Sequence, residues 1–358
     1  MAKRVVVWGT GNVGKPALRA VLANPELELV DVIVSAEGKI GLDAGALCDL
    51  PDTGVRATAA AHVDAVLASK PDAVVYTASG DFRPMEAIGD VVRCLTAGCN
   101  VVTPAVYPLY HAPSAPPELV AHVERACTAG QSSVLATGID PGWAFDLLPI
   151  MLSGVCTRID EIRVQELFNY TTYHAPDAVR NIIGFGTSLD VLPPMLDPNA
   201  LLSVWGPMVR IIASALGATI DELRTTTERR PLDRTIDVPG MGTFEAGTQG
   251  AFRFEVQGMI GGRPLIVAEH VTRISDDAAP DWPYPPDGRL GAHRVVISGR
   301  PSLEVTICAE DGTGNPAEGG NATAAGRLVH AIPSVCASPP GILSPLDLPL
   351  IAGRGLLA

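Results

Sequence analysis

The chain has few charged residues, and the two signs are unevenly represented. Charged residues make up 18% of the 358 positions, and 26 lysines and arginines stand against 39 aspartates and glutamates, for a formal net charge of -13. Binding to nucleic acid or to an anionic membrane needs a basic face, and no cluster of basic residues predicts one. We therefore expect neither partner. The low charge content predicts a rather apolar surface, typical of homo-oligomers.

Long apolar runs are also scarce. Behind the first residues there is a short strand pattern and a glycine turn rather than the apolar core of a signal peptide, so we expect a cytoplasmic protein. The most apolar stretch, 201–220, contains Arg210 and the interruption Trp205-Gly206-Pro207. This pattern predicts a buried helix rather than a membrane span.

Motifs for disulfide, metal or hydrolase chemistry are missing as well. The 7 cysteines are an odd number without C-x-x-C or metal-ligand spacing, which predicts reduced, buried thiols and no metal site. The sequence has no G-x-S-x-G elbow, so it gives no support to a serine hydrolase of that type.

The most informative stretch lies at the beginning of the chain. The apolar run that ends at Trp8 predicts a buried strand, and helical periodicity begins after the glycine turn that follows it. The turn reads Gly9-Thr10-Gly11-Asn12-Val13-Gly14. A G-x-G-x-x-G turn between a strand and a helix is the dinucleotide-binding fingerprint, in which the glycines allow a tight turn, close approach of the pyrophosphate and close helix packing. Free amides at the helix start attract the phosphates.

The end of the second predicted strand, Leu27 to Ser35, bears on the identity of the dinucleotide. An acidic residue about twenty positions beyond the fingerprint would bind the ribose hydroxyls of NAD, and this position falls on Val34-Ser35. Ser35 and Lys39 suit a 2′-phosphate, whereas Glu37 between them argues the other way. We expect NADPH to be favoured, with NAD also used.

Further strands of the same pattern place more residues beside the cofactor. Thr77, Ala78 and Ser79 follow a buried strand, and Thr103 ends the next one, whose tip should reach the nicotinamide. The first three also suit an ordinary polar loop. A further tight turn, 137–142, precedes an apolar helix that Asp140 is expected to cap.

Length and pattern predict two domains. Strands and helices alternate up to about residue 150, and strands dominate after Gly154, with a hairpin at 250–259 and 264–275. We expect an α/β protein with an N-terminal Rossmann domain at 1–150, built on a doubly wound parallel sheet. A second, α+β domain at 151–320, with a mainly antiparallel sheet, should serve substrate binding and dimerisation. The segment 321–358 is expected to pack back on the first domain.

Several stretches together resemble a known family. They are the fingerprint, Lys39 to Gly45, the turn Gly138-Ile139-Asp140-Pro141-Gly142, and the tail Ala331-Ile332-Pro333 with Leu346 to Leu350. They resemble the dihydrodipicolinate-reductase-like group that contains 2,4-diaminopentanoate dehydrogenase and native amine dehydrogenases. The resemblance implies a homodimer and hydride transfer from NAD(P)H to a C=N or C=O carbon of a small substrate, held between a second-domain sheet and the nicotinamide.

The chain departs from this family at the tip of the nicotinamide-proximal strand. The resemblance implies a glutamate just after the threonine at this tip, where it would position ammonia and handle protons. This chain has Ala105 or Val106 at the matching position, so the carboxylate is absent. The difference puts ammonia-dependent amination in doubt and favours a preformed C=N or C=O bond. Asp140 also stands where the family favours asparagine.

Other residues must then handle protons. Candidates are Tyr107 and His111 after the strand tip, and Glu166 and His174 in the second domain. We expect the substrate pocket to contain Ala105, Val106, Asp140, Trp143 and Tyr170. The aromatic residues also suit a packing role. The alternative to an enzyme is an NAD(P)-binding sensor with little turnover.

Overall fold

A computed structural model describes residues 2–80, 83–173, 175–286 and 288–356, so the candidate His174 lies outside the described residues. The chain forms two compact units, one up to Gly142 and again from Asn321 onward, the other from Trp143 to Gly320. The division falls at Gly142 rather than at 150. Phe145 explains the difference, because its ring packs against His270 and His293 of the second unit.

Strands and helices alternate in the part of the first unit that precedes Gly142. The strands are β1 (Lys3–Trp8), β2 (Leu27–Val34), β3 (Ala57–Ala59), β4 (Ala73–Tyr76), β5 (Asn100–Thr103) and β6 (Ser133–Ala136). The helices are α1 (Gly14–Ala23), α2 (Ala44–Leu47), α3 (Val63–Ala68), α4 (Pro84–Thr96) and α5 (Pro117–Gly130).

The second unit is dominated by strands. They are β7 (Arg158–Asn169), β8 (Glu222–Pro231), β9 (Ile236–Val238), β10 (Gly242–Phe244), β11 (Gln249–Ile260), β12 (Arg263–Arg273), β13 (Gly291–Arg300) and β14 (Leu303–Ile307). Its helices are α6 (Leu147–Ser153), α7 (Pro176–Asn181), α8 (Pro198–Val204) and α9 (Gly206–Ala215). The chain ends with helix α10 (Pro316–Ala337) and strand β15 (Gly341–Leu343).

The first sheet is parallel throughout and has the order β15-β6-β5-β4-β1-β2-β3. Apart from the added β15, this is the doubly wound arrangement that the alternating pattern predicts. Its strands are apolar because helices cover both faces. Val5 and Val7 of β1 are buried in one core with Leu18 of α1 and with Leu328 and Ile332 of α10.

The second sheet has the order β14-β13-β7-β12-β11-β8. All neighbours are antiparallel except β7 and β12, which run parallel at the centre. The predicted fold class is therefore confirmed. One face packs against α9, where Gly258 lets Val209 approach, since a Cβ at Gly258 would lie 2.7 Å from Val209 Cγ1. We call this the covered face. The opposite face, which carries Arg163, is called the polar face.

One local prediction is confirmed and one differs from the structure. The apolar segment at 201–220 contains the buried helix α9, which begins after the expected interruption at Trp205. Asp140 does not cap the helix after its turn, because that helix begins at Leu147 and Asp146 accepts the hydrogen bond of the Leu147 amide. The turn itself uses Gly142 at φ +133°, so the chain is not yet helical there. Of the helices in the described residues, none combines the length and the hydrophobicity that crossing a bilayer requires.

Candidate active site

The glycine turn is shaped by close backbone packing. Gly9 has φ +106°, and a Cβ there would lie 2.7 Å from the Ala78 nitrogen. A Cβ on Gly14 would collide with the Gly9 carbonyl oxygen, whereas nothing lies within 4 Å of the position of a Gly11 Cβ. Thus the turn is tight on its inner side and open at Gly11, which fits the close approach of a pyrophosphate.

Lys39 brings a positive charge to this turn. It ends the short 3-10 turn Glu37–Lys39 that follows β2, and its Nζ donates to the carbonyl oxygen and the hydroxyl of Thr10, each at 3.0 Å. Ser35 is exposed at the end of β2. The predicted cofactor residues of β2 and of the glycine turn therefore lie at one edge of the first sheet.

The ends of β4 and β5 form the adjoining part of the same edge. Thr77 Oγ1 donates to the carbonyl oxygens of Trp8, at 3.2 Å, and of Gly9, at 3.1 Å, so it braces the glycine turn. Thr103 is fully buried, and its Oγ1 accepts from the Ala105 amide at 3.0 Å. Of the three residues after β4, Ser79 is the exposed one.

The segment after β5 holds the aromatic candidates of the first unit. Tyr107 and Tyr110 stack with ring centroids 6.4 Å apart, and His111 Nδ1 lies 2.9 Å from Ser114 Oγ. Ala105 and Val106, which were predicted to line the substrate pocket, are buried. Asp140 and Trp143 are half-buried. These positions provide hydroxyl and imidazole groups, but no carboxylate directly after Thr103.

A buried carboxylate lies instead at the centre of the second sheet. Glu166 of β7 is paired in register with His270 of β12 on one side and His293 of β13 on the other. Side chains that are directly opposite on neighbouring strands point to the same face, so the three form one row across the covered face. Phe254 of β11 extends the row beyond His270.

Polar contacts in this row converge on the carboxylate. Glu166 Oε1 accepts from the Tyr170 hydroxyl at 3.1 Å and lies 3.3 Å from His270 Nδ1, and Oε2 lies 3.8 Å from His293 Nε2. Burial by itself raises the pKa of Glu166, but the charge and hydrogen bond of His270, the charge of His293 and the Tyr170 hydrogen bond outweigh it. The pKa of Glu166 is therefore lowered, and the side chain stays ionised at neutral pH.

Aromatic rings enclose the histidines. His270 stacks on Phe254, with centroids 4.6 Å apart, and Trp205 meets it edge-on at 4.7 Å. The rings of Phe145 and Phe168 lie beside His293, with centroids 6.2 and 5.8 Å from the centroid of the imidazole. A buried carboxylate in such surroundings is stabilised by a positively charged or hydrogen-bonding partner, and an ammonium group is one such partner.

The structure thus groups some of the predicted residues and adds others. Glu166 and Tyr170 are in contact, and the glycine turn lies together with Lys39 and Thr77. His270 and His293 were missed by the sequence pattern. Their signal was weak: a histidine at an inward position of an otherwise apolar strand, which alone indicates packing more often than chemistry.

Comparison with known proteins identifies the family. Residues 143–355 match the model for the 2,4-diaminopentanoate dehydrogenase C-terminal domain. The chain is 54% identical to an amine dehydrogenase of Streptomyces virginiae over 353 residues, 98% of each chain. It is 23% identical to the 2,4-diaminopentanoate dehydrogenase of Acetoanaerobium sticklandii over 354 residues, covering 97% of this chain and 93% of the relative.

Solved structures agree on the fold. The amine dehydrogenase of Mycobacterium smegmatis has a TM-score of 0.76 at 20% identity, covering 100% of this chain and 99% of that one. A probable dehydrogenase of Thermotoga maritima has a TM-score of 0.58 at 13% identity, with coverages of 96% and 92%. The family model and the relative at 54% identity favour an enzyme over a sensor. The chain belongs to the family of 2,4-diaminopentanoate dehydrogenases and amine dehydrogenases, and it is an NAD(P)-dependent oxidoreductase.

Proposed function

We propose that the chain is an amine dehydrogenase that interconverts a small amine with the corresponding carbonyl compound and ammonia. Glu166 is the observation that carries this proposal, since it is a buried, ionised carboxylate in a chain that lacks one at Ala105 and Val106. The relative at 54% identity bears the name amine dehydrogenase, which supports the same activity.

Reductive amination makes two demands beyond hydride transfer. Ammonia has to be held as a nucleophile against the carbonyl carbon, and protons have to move as water leaves. A carboxylate meets both demands, because it accepts an N–H hydrogen bond and exchanges protons. Glu166 has this chemistry, whereas the tyrosines and His111 can donate a proton but do not attract ammonium by charge. The sequence alone favours a preformed C=N or C=O substrate, and Glu166 shifts the balance toward ammonia.

The nicotinamide cofactor supplies the hydride when it is bound. The glycine turn would hold its pyrophosphate, with Gly11 as the point of closest approach. We propose that NADPH is favoured over NADH, because Lys39 is held beside Thr10 and the exposed Ser35 lies between β2 and the short turn that ends at Lys39. Thr77, Ala78, Ser79 and Thr103 complete the proposed cofactor edge.

We assign the remaining predicted residues to the substrate. Ala105, Val106 and Trp143 offer apolar surface, and Tyr170 positions Glu166 through its hydroxyl. Tyr107 and His111 are the proposed proton donors on the first unit, and Asp140 stays a proposed pocket residue. This composition suits a small, rather apolar substrate.

A homodimer through the polar face is part of the proposal. Arg163 Nη1 pairs with Glu255 Oε1 at 2.5 Å and with Glu269 Oε2 at 2.7 Å, while its side chain is 24% exposed. Arg163 and Glu255 are partly exposed, and paired charges of this kind suit a self-complementary contact. The resemblance to the family points to the same sheet. Light scattering of the wild type and of Arg163→Glu tests it, and a wild-type monomer would contradict it.

The experiment on function compares Glu166→Gln with the control Glu161→Gln. Glu161 lies on the same strand as Glu166, but it pairs with Arg163 on the polar face. Oxidation of NADPH is followed with a series of small ketones, with and without ammonia. We expect ammonia-dependent turnover in the wild type and in Glu161→Gln, and a loss of about 10²- to 10⁴-fold in Glu166→Gln. Undiminished turnover in Glu166→Gln contradicts the proposal, as does a wild type that reduces only preformed imines or ketones.

A further inference from the structure

Gly9, which opens the glycine turn, is held by both strands that flank β1. Its amide donates to the carbonyl oxygen of Ile33 in β2 at 2.9 Å, and its carbonyl oxygen accepts from Thr77 Oγ1, directly after β4, at 3.1 Å. The Thr77 amide donates to the carbonyl oxygen of Trp8 at 2.8 Å, which continues the pairing of β4 with β1. Both polar groups of Gly9 are therefore fixed by neighbouring strands.

Thr77 lies directly against the two outer glycines of the turn. A Cβ on Gly9 would lie 2.8 Å from the Thr77 carbonyl carbon, and a Cβ on Gly14 would lie 2.9 Å from Thr77 Oγ1. The hydroxyl has two carbonyl oxygens within reach, that of Trp8 at 3.2 Å and that of Gly9 at 3.1 Å. A carbonyl oxygen can only accept, so Thr77 Oγ1 is the donor in both contacts.

The direction of the Gly9 carbonyl group sets the direction of the next amide. The peptide bond between Gly9 and Thr10 is trans, and the C=O and N–H bonds of a planar trans unit point in opposite directions. Because the Gly9 carbonyl points toward Thr77, the Thr10 N–H points away from it. Among the described residues, no acceptor faces the amides of Thr10, Gly11 and Asn12. Consecutive amides of this kind, just before a helix, form an anion site.

We propose that Thr77 is a positioning residue for the cofactor, whose hydroxyl holds the Gly9 carbonyl toward β4 and so keeps the Thr10 amide directed at the pyrophosphate. This inference rests on the proposed placement of the pyrophosphate at the glycine turn, and it is independent of ammonia. Thr77 differs in its role from Lys39, which supplies charge for a 2′-phosphate. Because NADPH and NADH share the pyrophosphate, loss of the Thr77 hydroxyl should weaken the binding of both by the same factor.

Three substitutions separate the hydroxyl of Thr77 from its packing. Thr77→Ser keeps the donor and removes the methyl group, whereas Thr77→Val keeps the shape and removes the donor. Thr77→Ala removes the donor without placing a methyl group beside the Gly9 carbonyl. We expect Val and Ala to weaken NADPH and NADH about tenfold each, the upper range for one hydrogen bond, and Ser to stay within about twofold of the wild type. The KM for NADPH should rise with kcat unchanged, because this contact is equally present before and during hydride transfer.

Thr96→Val is the matched control for calorimetry with both cofactors. Thr96 also donates to a backbone carbonyl oxygen, that of Val92 at 2.8 Å, but at the C-terminal end of α4 rather than at the turn. We expect it to bind both cofactors like the wild type. Unchanged affinity in Thr77→Val and Thr77→Ala overturns the inference. A changed ratio of the two affinities overturns it as well, since Thr77 would then contact the 2′-phosphate. So does a loss in Thr77→Ser as large as that in Thr77→Val, which would indicate a role of the methyl group.

A second measurement uses the protein without cofactor. The backbone amide signal of Thr10 is compared by ¹⁵N NMR in the wild type and the three Thr77 variants. We expect this signal to move in Thr77→Val and Thr77→Ala and to stay in place in Thr77→Ser, because the Gly9 carbonyl belongs to the same peptide unit. An unmoved signal in Thr77→Val and Thr77→Ala overturns the inference, since a residue that only contacts the cofactor gives that result. If Gly11→Asp retains full affinity for both cofactors, the placement of the pyrophosphate fails instead.

Discussion

The two sheets of the molecule present their functional groups in different ways. The first sheet is apolar on both faces, and its candidate site lies at the strand ends, where the glycine turn leaves open space at Gly11. The second sheet carries ionisable side chains in the middle of long strands, with Glu166 between two histidines. A site formed by backbone loses its shape when a substitution adds a side chain at one of its glycines. A site formed by side chains can keep its shape after a substitution of similar size and lose only a charge.

The largest effect is expected at Gly14. A Cβ there would collide with the Gly9 carbonyl oxygen and approach Thr77 Oγ1 to 2.9 Å. Gly14→Ala should lower the free energy of unfolding by about 1–3 kcal/mol, the usual range for overpacking, and abolish cofactor binding. Denaturant unfolding and calorimetry measure the two effects.

Gly11→Ala is the matched control, because nothing lies within 4 Å of its Cβ position. We expect unchanged stability with weaker cofactor binding, and no detectable binding in Gly11→Asp, where a carboxylate would face the pyrophosphate. If Gly14→Ala keeps both the stability and the affinity of the wild type, the backbone description of the turn is wrong.

The second sheet should show its charge balance in acid. Because the folded-state pKa of Glu166 is lowered, its contribution to stability is present above the unfolded-state value of about 4.3 and is lost as pH falls through the folded value. The stability difference between wild type and Glu166→Gln should therefore be largest near neutral pH and shrink below about pH 4. Urea midpoints from pH 7 to pH 3 measure it. A constant difference would contradict an ionised Glu166.

The smallest effect is expected at Lys39, whose amine lies 3.0 Å from two oxygens of Thr10. Removing one charge-assisted contact should weaken the binding of NADPH about tenfold and the binding of NADH much less. Calorimetry with both cofactors on Lys39→Ala measures the ratio, and Lys15→Ala serves as control because Lys15 pairs with Asp49 on the surface. An unchanged ratio means that Lys39 does not contact a 2′-phosphate.

Local constraints explain what the sequence could predict. The glycine turn needs φ +106° at Gly9 and close packing at Gly14. Both requirements select glycine within one short stretch of sequence, so the motif is recognisable. The strands of the first sheet are recognisable because burial on both faces makes them continuously apolar. In the second unit, alternation revealed the hairpin of β11 and β12, but not β8, where charged residues and threonines outnumber apolar ones.

The row around Glu166 depends on contacts that no local pattern contains. His270 follows Glu166 by more than a hundred residues in sequence, and β7 and β12 pair in parallel although β11 and β12 form an ordinary hairpin. A shift of one residue in this register would turn the histidine to the other face. Glu166 could be named as a candidate from its residue type alone. Its partners could not, because they depend on the register of strands that are distant in sequence. Asp140 shows the opposite error, since the local cap pattern matched but the chain turned before the helix began.

The central claim is that Glu166 supplies the carboxylate that ammonia requires. It is tested most directly by the ratio of two rates in one protein: kcat/KM for ammonia with a saturating ketone, and kcat/KM for a preformed cyclic imine, which needs no ammonia. The account predicts that Glu166→Gln lowers this ratio about a hundredfold or more relative to the wild type and to Glu161→Gln. A ratio that stays the same would contradict the account, because the carboxylate would then serve both reactions equally or neither.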